Sequence, residues 1–590
     1  MFQGRGSSLS LDRWSFGALV IIFLAWSLPF FCLSEQLLRN LPADDLFYYL
    51  ESARRTATTG AWPSMDGAQP TSGFQPLFFL VCVLLEDIGQ ITGLTSLYLV
   101  LGLNWVLAIV SMLLIARLVV DQTDRSLQEH GAIAAGSRRF AVLGVLACLF
   151  FNPFWAAQAL TGVETMLSLV LWVWLLGRWS YRKEPAALAD RPWRALIVDG
   201  AILGLLGLAR TDNAFLAVGF GLAFLTLVPR RSGAILARLA AMATVAGLVV
   251  LPWCLALLGH QGSIVQDSAR ALLARHALEI ASGWIGPWEA IVRQIGLWFY
   301  RLAHVFGGIP LTATVAGLML GVRFRLKWRW LRSDGLLAAA AIAGLLELLS
   351  ANTVWDVESL EQLAAELGVG AAFFVLALIC PAPVEVRAQG RKLFLTLPAA
   401  LSVGSYVILL GHFQLWYVAS PALLLVLLTG PTLARNLASA HWLPAGLLMV
   451  AVATSFGGHT LRTITAGTYR ELRAEALPDT ALRARLEARY PTRAMPVVGS
   501  FDSGLLSYRI HPYPIANLDG VMNHAAAVAL EENRFEEFLE QSRLEIVVGS
   551  EARVRYFATI AGFEAERDPE ASLALGMDVF RVEGRPEGRP

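Results

Sequence analysis

The sequence predicts a mainly α protein: a polytopic bundle of about 13 transmembrane helices followed by a small C-terminal α/β domain. Of the 590 residues, 56% are hydrophobic and only 16% are charged, whereas soluble domains carry about 25% charged residues. The mean hydropathy is +0.56. The apolar residues are concentrated in blocks long enough to cross a bilayer, and the composition becomes more charged from about residue 461 onward.

The first apolar block, residues 16–33, is too long for a signal-peptide core and lacks a small-residue cleavage site, so we interpret it as the first span. Residues 77–85 are apolar but too few to cross, which predicts a surface-lying or re-entrant helix. The further spans are predicted at 95–118, 140–157, 163–178, 196–209, 213–228, 239–258, 303–322, 335–350, 364–382, 393–412, 416–430 and 441–457.

The orientation follows from the positive-inside rule. Loops near residues 178–194, 230–238, 323–332 and 387–392 are rich in Arg and Lys and alternate with loops such as 351–364, which is acidic. This pattern predicts a multi-pass cell-membrane protein with a cytoplasmic N-terminus. An odd number of spans places the first loop, 35–76, and the C-terminal domain outside.

We divide the chain into a transmembrane module, 1–460, and an extracytoplasmic soluble domain, 461–590. The paired charges of 477–490 and the pattern of 535–542 predict helices. Short β-branched runs predict strands at 495–498 and 546–548, and a last strand at 578–582.

The sequence also disfavours several kinds of site. The five cysteines lie in or beside apolar blocks without metal-ligand spacing, so neither disulfides nor a zinc site are expected. There is no Walker A sequence, Rossmann glycine fingerprint, HExxH or GxSxG motif, which disfavours an ATP-driven machine and a metalloprotease. We expect no nucleic-acid partner.

The first loop contains the main candidate site. Within residues 42–76, Asp44 and Asp45 precede an aromatic run that includes Tyr48 and Tyr49. A positioned carboxylate can serve as a general base. The alternative is that an aspartate here only caps a helix.

Three further candidates are polar residues at span ends on the same face. Glu164 could line a cavity or act as a first-turn dipole residue. Arg210 and Asp212 could form a structural ion pair, or Arg210 could grip a phosphate.

A last group of candidates follows the span at 393–412. His412, Trp416 and Tyr417 could belong to the site or form an interfacial aromatic belt.

Several of these segments resemble one family. The sequence DDLFYYLESARRTATTGAWPSMDGAQPTSGFQPL is similar to the first external loop of bacterial and archaeal integral-membrane glycosyltransferases of the C-type superfamily (GT-C). The resemblance continues in TGVET, LARTDNAF, the Trp-Tyr pair at 416–417 and NLDGVMN, and it spans nearly the whole chain. The residues that match the first-loop pattern are Asp44, Asp45, Phe47, Tyr48, Tyr49, Asp66, Gly67, Pro70, Thr71, Gly73, Phe74, Pro76 and Leu77. Gln75 stands where a histidine is common.

The resemblance implies a GT-C fold and a polyprenyl-phosphate-linked sugar as donor. It further implies transfer to a cell-envelope acceptor (a glycan, lipid or protein) on the outer face, with inversion at the anomeric carbon. The enzyme would be a hexosyl- or pentosyltransferase. An acidic residue of the first loop serves as base in this superfamily, and some members use a divalent cation such as Mg²⁺ or Mn²⁺.

By position, the resemblance assigns Asp44 as the base, with Asp45 as the second choice or as an orienting group. Arg210 is then the best candidate for stabilising the leaving phosphate. The expected sugar- or lipid-contacting aromatics are Tyr48, Tyr49, Trp416 and Tyr417. Asp502 and Asp519 match the family pattern of the C-terminal domain and are either substrate-binding or turn residues.

Two other classes of function stay open at this point. The protein could be a transporter or flippase of a lipid-linked saccharide, or a non-catalytic membrane subunit that binds glycan.

Overall fold

The computed structural model describes residues 43–129, 153–180, 190–227, 232–292, 294–295, 386–406, 417, 419–424, 427, 479–491, 496–542 and 544–583. The predicted spans at 16–33, 303–322, 335–350, 364–382 and 441–457 lie outside these residues, and those at 140–157, 393–412 and 416–430 fall only partly within them. The predicted domain boundary at 460/461 is also outside the described residues.

The described secondary structure of the membrane module is helical apart from one isolated bridge between Ser64 and Pro70. Its helices are α1 (Asp44–Thr59), α2 (Pro76–Thr92), α3 (Ser96–Glu129), α4 (Pro153–Leu160), α5 (Thr165–Ser180), α6 (Trp193–Ala209), α7 (Asn213–Leu227), α8 (Ser232–Gln261), α9 (Asp267–Ala281) and α10 (Val386–Ser405).

Within the described ranges, two helical stretches are long and apolar enough to span a membrane, Ser96–Leu118 and Gly233–Gln261. Shorter apolar stretches at Thr165–Trp179, Asn213–Leu227 and Phe394–Ser405 coincide with predicted spans. The chain is thus a mainly helical membrane protein. The number of about 13 spans stays a prediction.

Small residues let the membrane helices approach one another closely. A Cβ at Gly200 of α6 would lie 2.7 Å from the Met242 carbonyl oxygen of α8, and one at Gly219 of α7 would lie 2.4 Å from Cα of Pro398 in α10. Because lipid offers apolar surface as good as another helix does, close backbone packing of this kind holds membrane helices together.

Two segments differ from their predicted form. The apolar stretch at 77–85 is part of the longer helix α2, which continues through polar residues to Gly93, where φ is +75°. Residues 44–59 of the predicted first loop form a helix, α1. Its N-cap is Ala43, and Asp44 and Asp45 lie in the first turn without a side-chain capping bond to their own helix.

The C-terminal domain is built on a five-stranded sheet in the order β2-β1-β3-β5-β4. Strands β1, β2 and β3 are parallel, and β5 is antiparallel to both β3 and β4. The strands are β1 (Val498–Ser500), β2 (Ala516–Asn517), β3 (Ile546–Val548), β4 (Glu564–Arg567) and β5 (Val579–Glu583). The helices are α11 (Asp479–Arg489), α12 (Gly504–Ile510), α13 (His524–Glu531), α14 (Phe535–Ser542), α15 (Glu551–Ala561) and α16 (Pro569–Leu575).

Both faces of this sheet are buried. Val547 packs in one apolar cluster with Phe557, whereas its neighbours Ile546 and Val548 pack in a second cluster with Leu482. Successive strand residues point to opposite faces, so a continuous apolar run such as β3 fits a sheet covered on both sides. The prediction of β3 and α14 is confirmed to the residue. The strand predicted at 495–498 is displaced, because β1 begins at Val498.

Helix α1 joins the membrane module to the C-terminal domain, which is called the external domain below because the sequence predicts it to lie outside. Its aromatic run is buried in one cluster together with Phe78 of α2, Tyr508 of α12 and Met522 of the external domain. The external domain therefore packs directly on the first loop.

Glycines make this contact close. A Cβ at Gly73 would lie 1.5 Å from the Val521 carbonyl oxygen, and one at Gly504 would lie 2.4 Å from the Asp44 carbonyl oxygen.

Candidate active site

The two adjacent aspartates of α1 have different surroundings. Asp44 turns to the external domain, where its Oδ2 accepts a hydrogen bond from the Gly504 N–H at 3.1 Å and its Oδ1 accepts from the Leu505 N–H at 2.7 Å. Burial raises the pKa of Asp44, while these two hydrogen bonds and one from Tyr48 oppose the rise. Both carboxylate oxygens of Asp44 are therefore engaged in holding the start of α12.

Asp45 is partly exposed and makes no hydrogen bond with any residue in the described part of the chain. Burial raises the pKa of Asp45 to about 8, and the negative charges of Asp44, Glu164 and Asp519 add to the rise. A carboxyl group in these surroundings holds its proton more tightly than usual. Once ionised, it is a stronger base than an exposed aspartate.

Tyr49 and Glu164 link the first loop to the membrane helices. The Tyr49 hydroxyl donates to Glu164 Oε2 at 2.9 Å and accepts from the Gln75 N–H at 2.9 Å. The Gln75 side chain accepts from the Thr211 N–H at 3.0 Å. Gln75 thus fastens the end of the first loop to the turn between α6 and α7.

Arg210 lies at the centre of a buried ionic network. Its Nη1 donates to Glu164 at 3.0 Å, and its Nε and Nη2 donate to the two oxygens of Asp212 at 3.0 and 3.1 Å. A further bond runs from Nη2 to the Tyr406 hydroxyl at 3.2 Å, and that hydroxyl also contacts Asp212. A guanidinium has five N–H donors, and four of them are used here. The structure therefore shows the ion-pair arrangement for Arg210 and Asp212.

Tyr417 covers this network. Its ring lies 5.0 Å from the guanidinium carbon of Arg210 and stacks on Tyr406 with ring centroids 4.7 Å apart. Tyr48 is buried within the α1 cluster. The other two aromatic or imidazole candidates, His412 and Trp416, lie outside the described residues.

The two aspartates of the external domain differ in exposure. Asp502 is exposed and lies 3.3 Å from Nε of Arg553. Asp519 is buried and accepts from the Val521 N–H at 2.9 Å, the bond of a turn residue. Burial raises the pKa of Asp519 to about 6, and the charges of Arg553 and Arg275 oppose the rise. Asp519 acts electrostatically on Asp45, so the external domain contributes to the surroundings of the first-loop carboxylates.

The sequence analysis missed several contacts that bind the external domain to the membrane module. Two fully buried carboxylates, Glu51 of α1 and Asp267 of α9, bond the Nδ1 atoms of His511 and His524 at 2.8 and 2.7 Å. Asp267 lies in residues 262–268, GSIVQDS. An aspartate that follows a glycine-containing turn is typical of a helix start, and this was the signal that the sequence offered.

The described residues contain no group of three or more His, Cys, Asp or Glu side chains that could hold a metal ion. The divalent cation implied by the resemblance therefore stays a prediction.

Comparisons with solved structures find distant similarities over most of the chain. ArnT from Cupriavidus metallidurans, in the apo state, is 16% identical, with 98% of this chain and 100% of that chain covered and a TM-score of 0.43. The oligosaccharyltransferase AglB from Archaeoglobus fulgidus, in complex with an inhibitory peptide and a dolichol-phosphate, is 14% identical. That match covers 99% of this chain and 75% of the AglB chain, with a TM-score of 0.46. An apo form of an Archaeoglobus fulgidus oligosaccharyltransferase is 15% identical, with a TM-score of 0.47.

No protein-family model and no curated protein sequence matches the chain. Because identities of 14–16% and TM-scores below 0.5 describe only a distant likeness, the site is interpreted from its own residues.

Proposed function

We propose that this protein is a membrane glycosyltransferase that uses a polyprenyl-phosphate-linked sugar as donor. The sugar passes to a hydroxyl group of a cell-envelope acceptor on the outer face of the membrane. The observation that carries the proposal is that the two first-loop aspartates are bonded differently. Asp44 accepts hydrogen bonds from two backbone N–H groups. Asp45 has a raised pKa and no hydrogen-bond partner among the described residues.

Asp45 is the proposed general base, which reverses the order expected from the sequence. A base must be able to reach the acceptor hydroxyl with a free oxygen, and both oxygens of Asp44 are already bonded to the external domain. Asp44 is proposed to position α1 and thereby Asp45. In the reaction, Asp45 takes the hydroxyl proton as the acceptor oxygen bonds to the anomeric carbon, and the bond from that carbon to the phosphate oxygen breaks.

The leaving group is a lipid phosphate, which is stable as an anion and needs no acid to protonate it. Charge developing on it requires hydrogen-bond donors or a cation. Arg210 uses four of its N–H donors on Glu164, Asp212 and Tyr406, so we propose that it positions Glu164 and Tyr49 rather than gripping the phosphate. Because no group of acids or histidines among the described residues could hold a divalent cation, the proposal assigns no cation to the phosphate.

The experiment uses the full-length protein in lipid nanodiscs with synthetic polyprenyl-phosphate sugars carrying mannose, glucose, galactose or arabinose. Release of polyprenyl phosphate and transfer of labelled sugar to a panel of octyl glycosides are followed by mass spectrometry. We expect turnover by the wild type and a loss of roughly 100- to 10,000-fold in Asp45→Asn, the usual contribution of a general base. Asp44→Asn is the matched control and should lose less activity than Asp45→Asn, because it leaves the base in place.

Full activity of Asp45→Asn would contradict the assignment of the base. If the wild type releases no lipid phosphate but moves a fluorescent lipid-linked sugar across vesicles, the protein is a transporter. Binding of glycan without either activity would identify a non-catalytic subunit.

A further inference from the structure

A second polar centre lies at the boundary between the two parts of the protein. Asp267, the first residue of α9, is completely buried. Its Oδ2 accepts from the Ser72 N–H at 2.8 Å and from Gln261 Nε2 at 2.9 Å, and its Oδ1 bonds His524 Nδ1 at 2.7 Å. In return, the Asp267 N–H donates to Ser72 Oγ at 3.0 Å. One carboxylate thus ties together the first loop, the end of α8 and the external domain.

This arrangement determines the tautomer of His524. A carboxylate can only accept hydrogen bonds, so the proton must be on Nδ1 of the neutral ring. The other nitrogen, Nε2, then carries a lone pair. The His524 side chain is 22% exposed, and within the described part of the chain its Nε2 makes no hydrogen bond. A buried carboxylate that orients an imidazole and leaves Nε2 unprotonated is the arrangement that prepares a histidine to accept a proton or a hydrogen bond.

The pair lies close to the elements of the proposed site. His524 follows Asp519 by five residues, and its N–H donates to the Pro70 carbonyl of the first loop at 3.2 Å. Between them, Gly520 with φ +79° packs so closely on α9 that a Cβ there would lie 3.1 Å from Cβ of Ala271. His524 therefore belongs to the wall that the external domain places against the first loop.

We propose that His524 Nε2 accepts a hydrogen bond from a hydroxyl group of the acceptor substrate, and that Asp267 positions the ring for it. This inference rests on the proposed glycosyl transfer and deepens it: the external domain contributes to acceptor binding. Because Nε2 can only accept a hydrogen bond, its partner must carry a hydrogen-bond donor, which a sugar hydroxyl supplies. The phosphate of the lipid-linked sugar is ionised and has no proton for a hydrogen bond, so it does not fit this position.

Two substitutions at position 524 separate binding from mere domain attachment. In His524→Asn, the amide nitrogen can occupy the place of Nδ1, so the bond to Asp267 is kept and Nε2 is removed. In His524→Gln, a polar amide reaches the place of Nε2, while the bond to Asp267 is lost. A third variant, Asp267→Asn, can donate to Nδ1 and so places the ring proton on Nε2, with a hydrogen bond still present.

The kinetic test uses the same nanodiscs and octyl glycosides. We expect His524→Asn and Asp267→Asn to raise the acceptor KM about tenfold, the value of one hydrogen bond, with a smaller change in kcat. His524→Gln should retain part of the acceptor affinity. An acceptor KM of His524→Asn equal to that of the wild type would overturn the proposal and leave the pair as a domain contact.

A chemical test does not depend on turnover. Diethyl pyrocarbonate modifies an unprotonated imidazole nitrogen, so His524 of the full-length protein should react and should be protected by 100 mM methyl glucoside, roughly the concentration needed for weak hydroxyl contacts. Exposed His260 is the internal reference. Slower modification of His524 in Asp267→Asn is expected because Nε2 is then protonated, and an equal rate would overturn the tautomer assignment. If the chemical results hold while the wild type shows no sugar transfer, the proposed function fails and the tautomer assignment stands.

Discussion

Replacement of Asp45 by asparagine should stabilise the protein, and increasingly so as the pH rises. The raised pKa of about 8 means that the folded protein holds a proton that the unfolded chain has released above its ordinary value of 3.8. The free energy of unfolding is therefore reduced by a penalty that is absent below pH 3.8 and complete above about pH 8. Between these limits it grows by roughly 1.4 kcal/mol per pH unit.

The expected size of the effect follows from this slope. Asp45→Asn removes the penalty, so its gain in unfolding free energy should be about 1–2 kcal/mol at pH 5 and up to about 5 kcal/mol at pH 8. Because Asp45 is partly exposed, solvent screening reduces these upper values. The gain at Asp44 should be smaller, because Asp44→Asn relieves a burial penalty of the same sign but leaves one of two backbone N–H groups without an acceptor, which costs about 1–3 kcal/mol.

The assay is thermal unfolding of the purified full-length protein in detergent, followed by tryptophan fluorescence at pH 5, 6.5 and 8 and constant ionic strength. We expect the midpoint of Asp45→Asn to exceed that of the wild type by a margin that widens with pH, and the midpoint of Asp44→Asn to lie below that of Asp45→Asn at each pH. Deprotonation of Asp45 should also be visible in catalysis, as a rise of wild-type kcat/KM through pH 8. A constant or negative difference between Asp45→Asn and the wild type would refute the reasoning.

Two further predictions concern the scaffold. Gly73→Ala should loosen the external domain, because the new Cβ would lie 1.5 Å from the Val521 carbonyl oxygen. Limited proteolysis should then release the domain faster. Gly102→Ala is the control and should behave as the wild type, because Gly102 has open space around it. Arg210→Met should destabilise the protein by about 3–5 kcal/mol, since it leaves buried carboxylates without their cation. Thermal unfolding should show partial recovery when Glu164→Gln is added, and a lack of any recovery would argue against their pairing.

Much of the architecture is readable from local sequence. The apolar blocks predict α3 and α8 because burial in lipid demands about 20 apolar residues in a row. The β-branched run of β3 and the amphipathic pattern of α14 predict their elements because side-chain periodicity follows backbone geometry. The first-loop motif directs attention to Asp44 and Asp45 on chemical grounds alone.

The sequence by itself therefore determined that this is a helical membrane protein with a carboxylate-bearing first loop and an α/β domain at its end. Only the tertiary structure decided that Asp44 is the bonded aspartate of the pair among the described residues, because backbone groups some 460 residues away donate to it. The same holds for Asp267 and His524, which are 257 residues apart. Composition and periodicity act over a few turns of chain, whereas hydrogen-bond partners at a domain boundary are chosen by how the folded surfaces pack, and no local pattern records that choice.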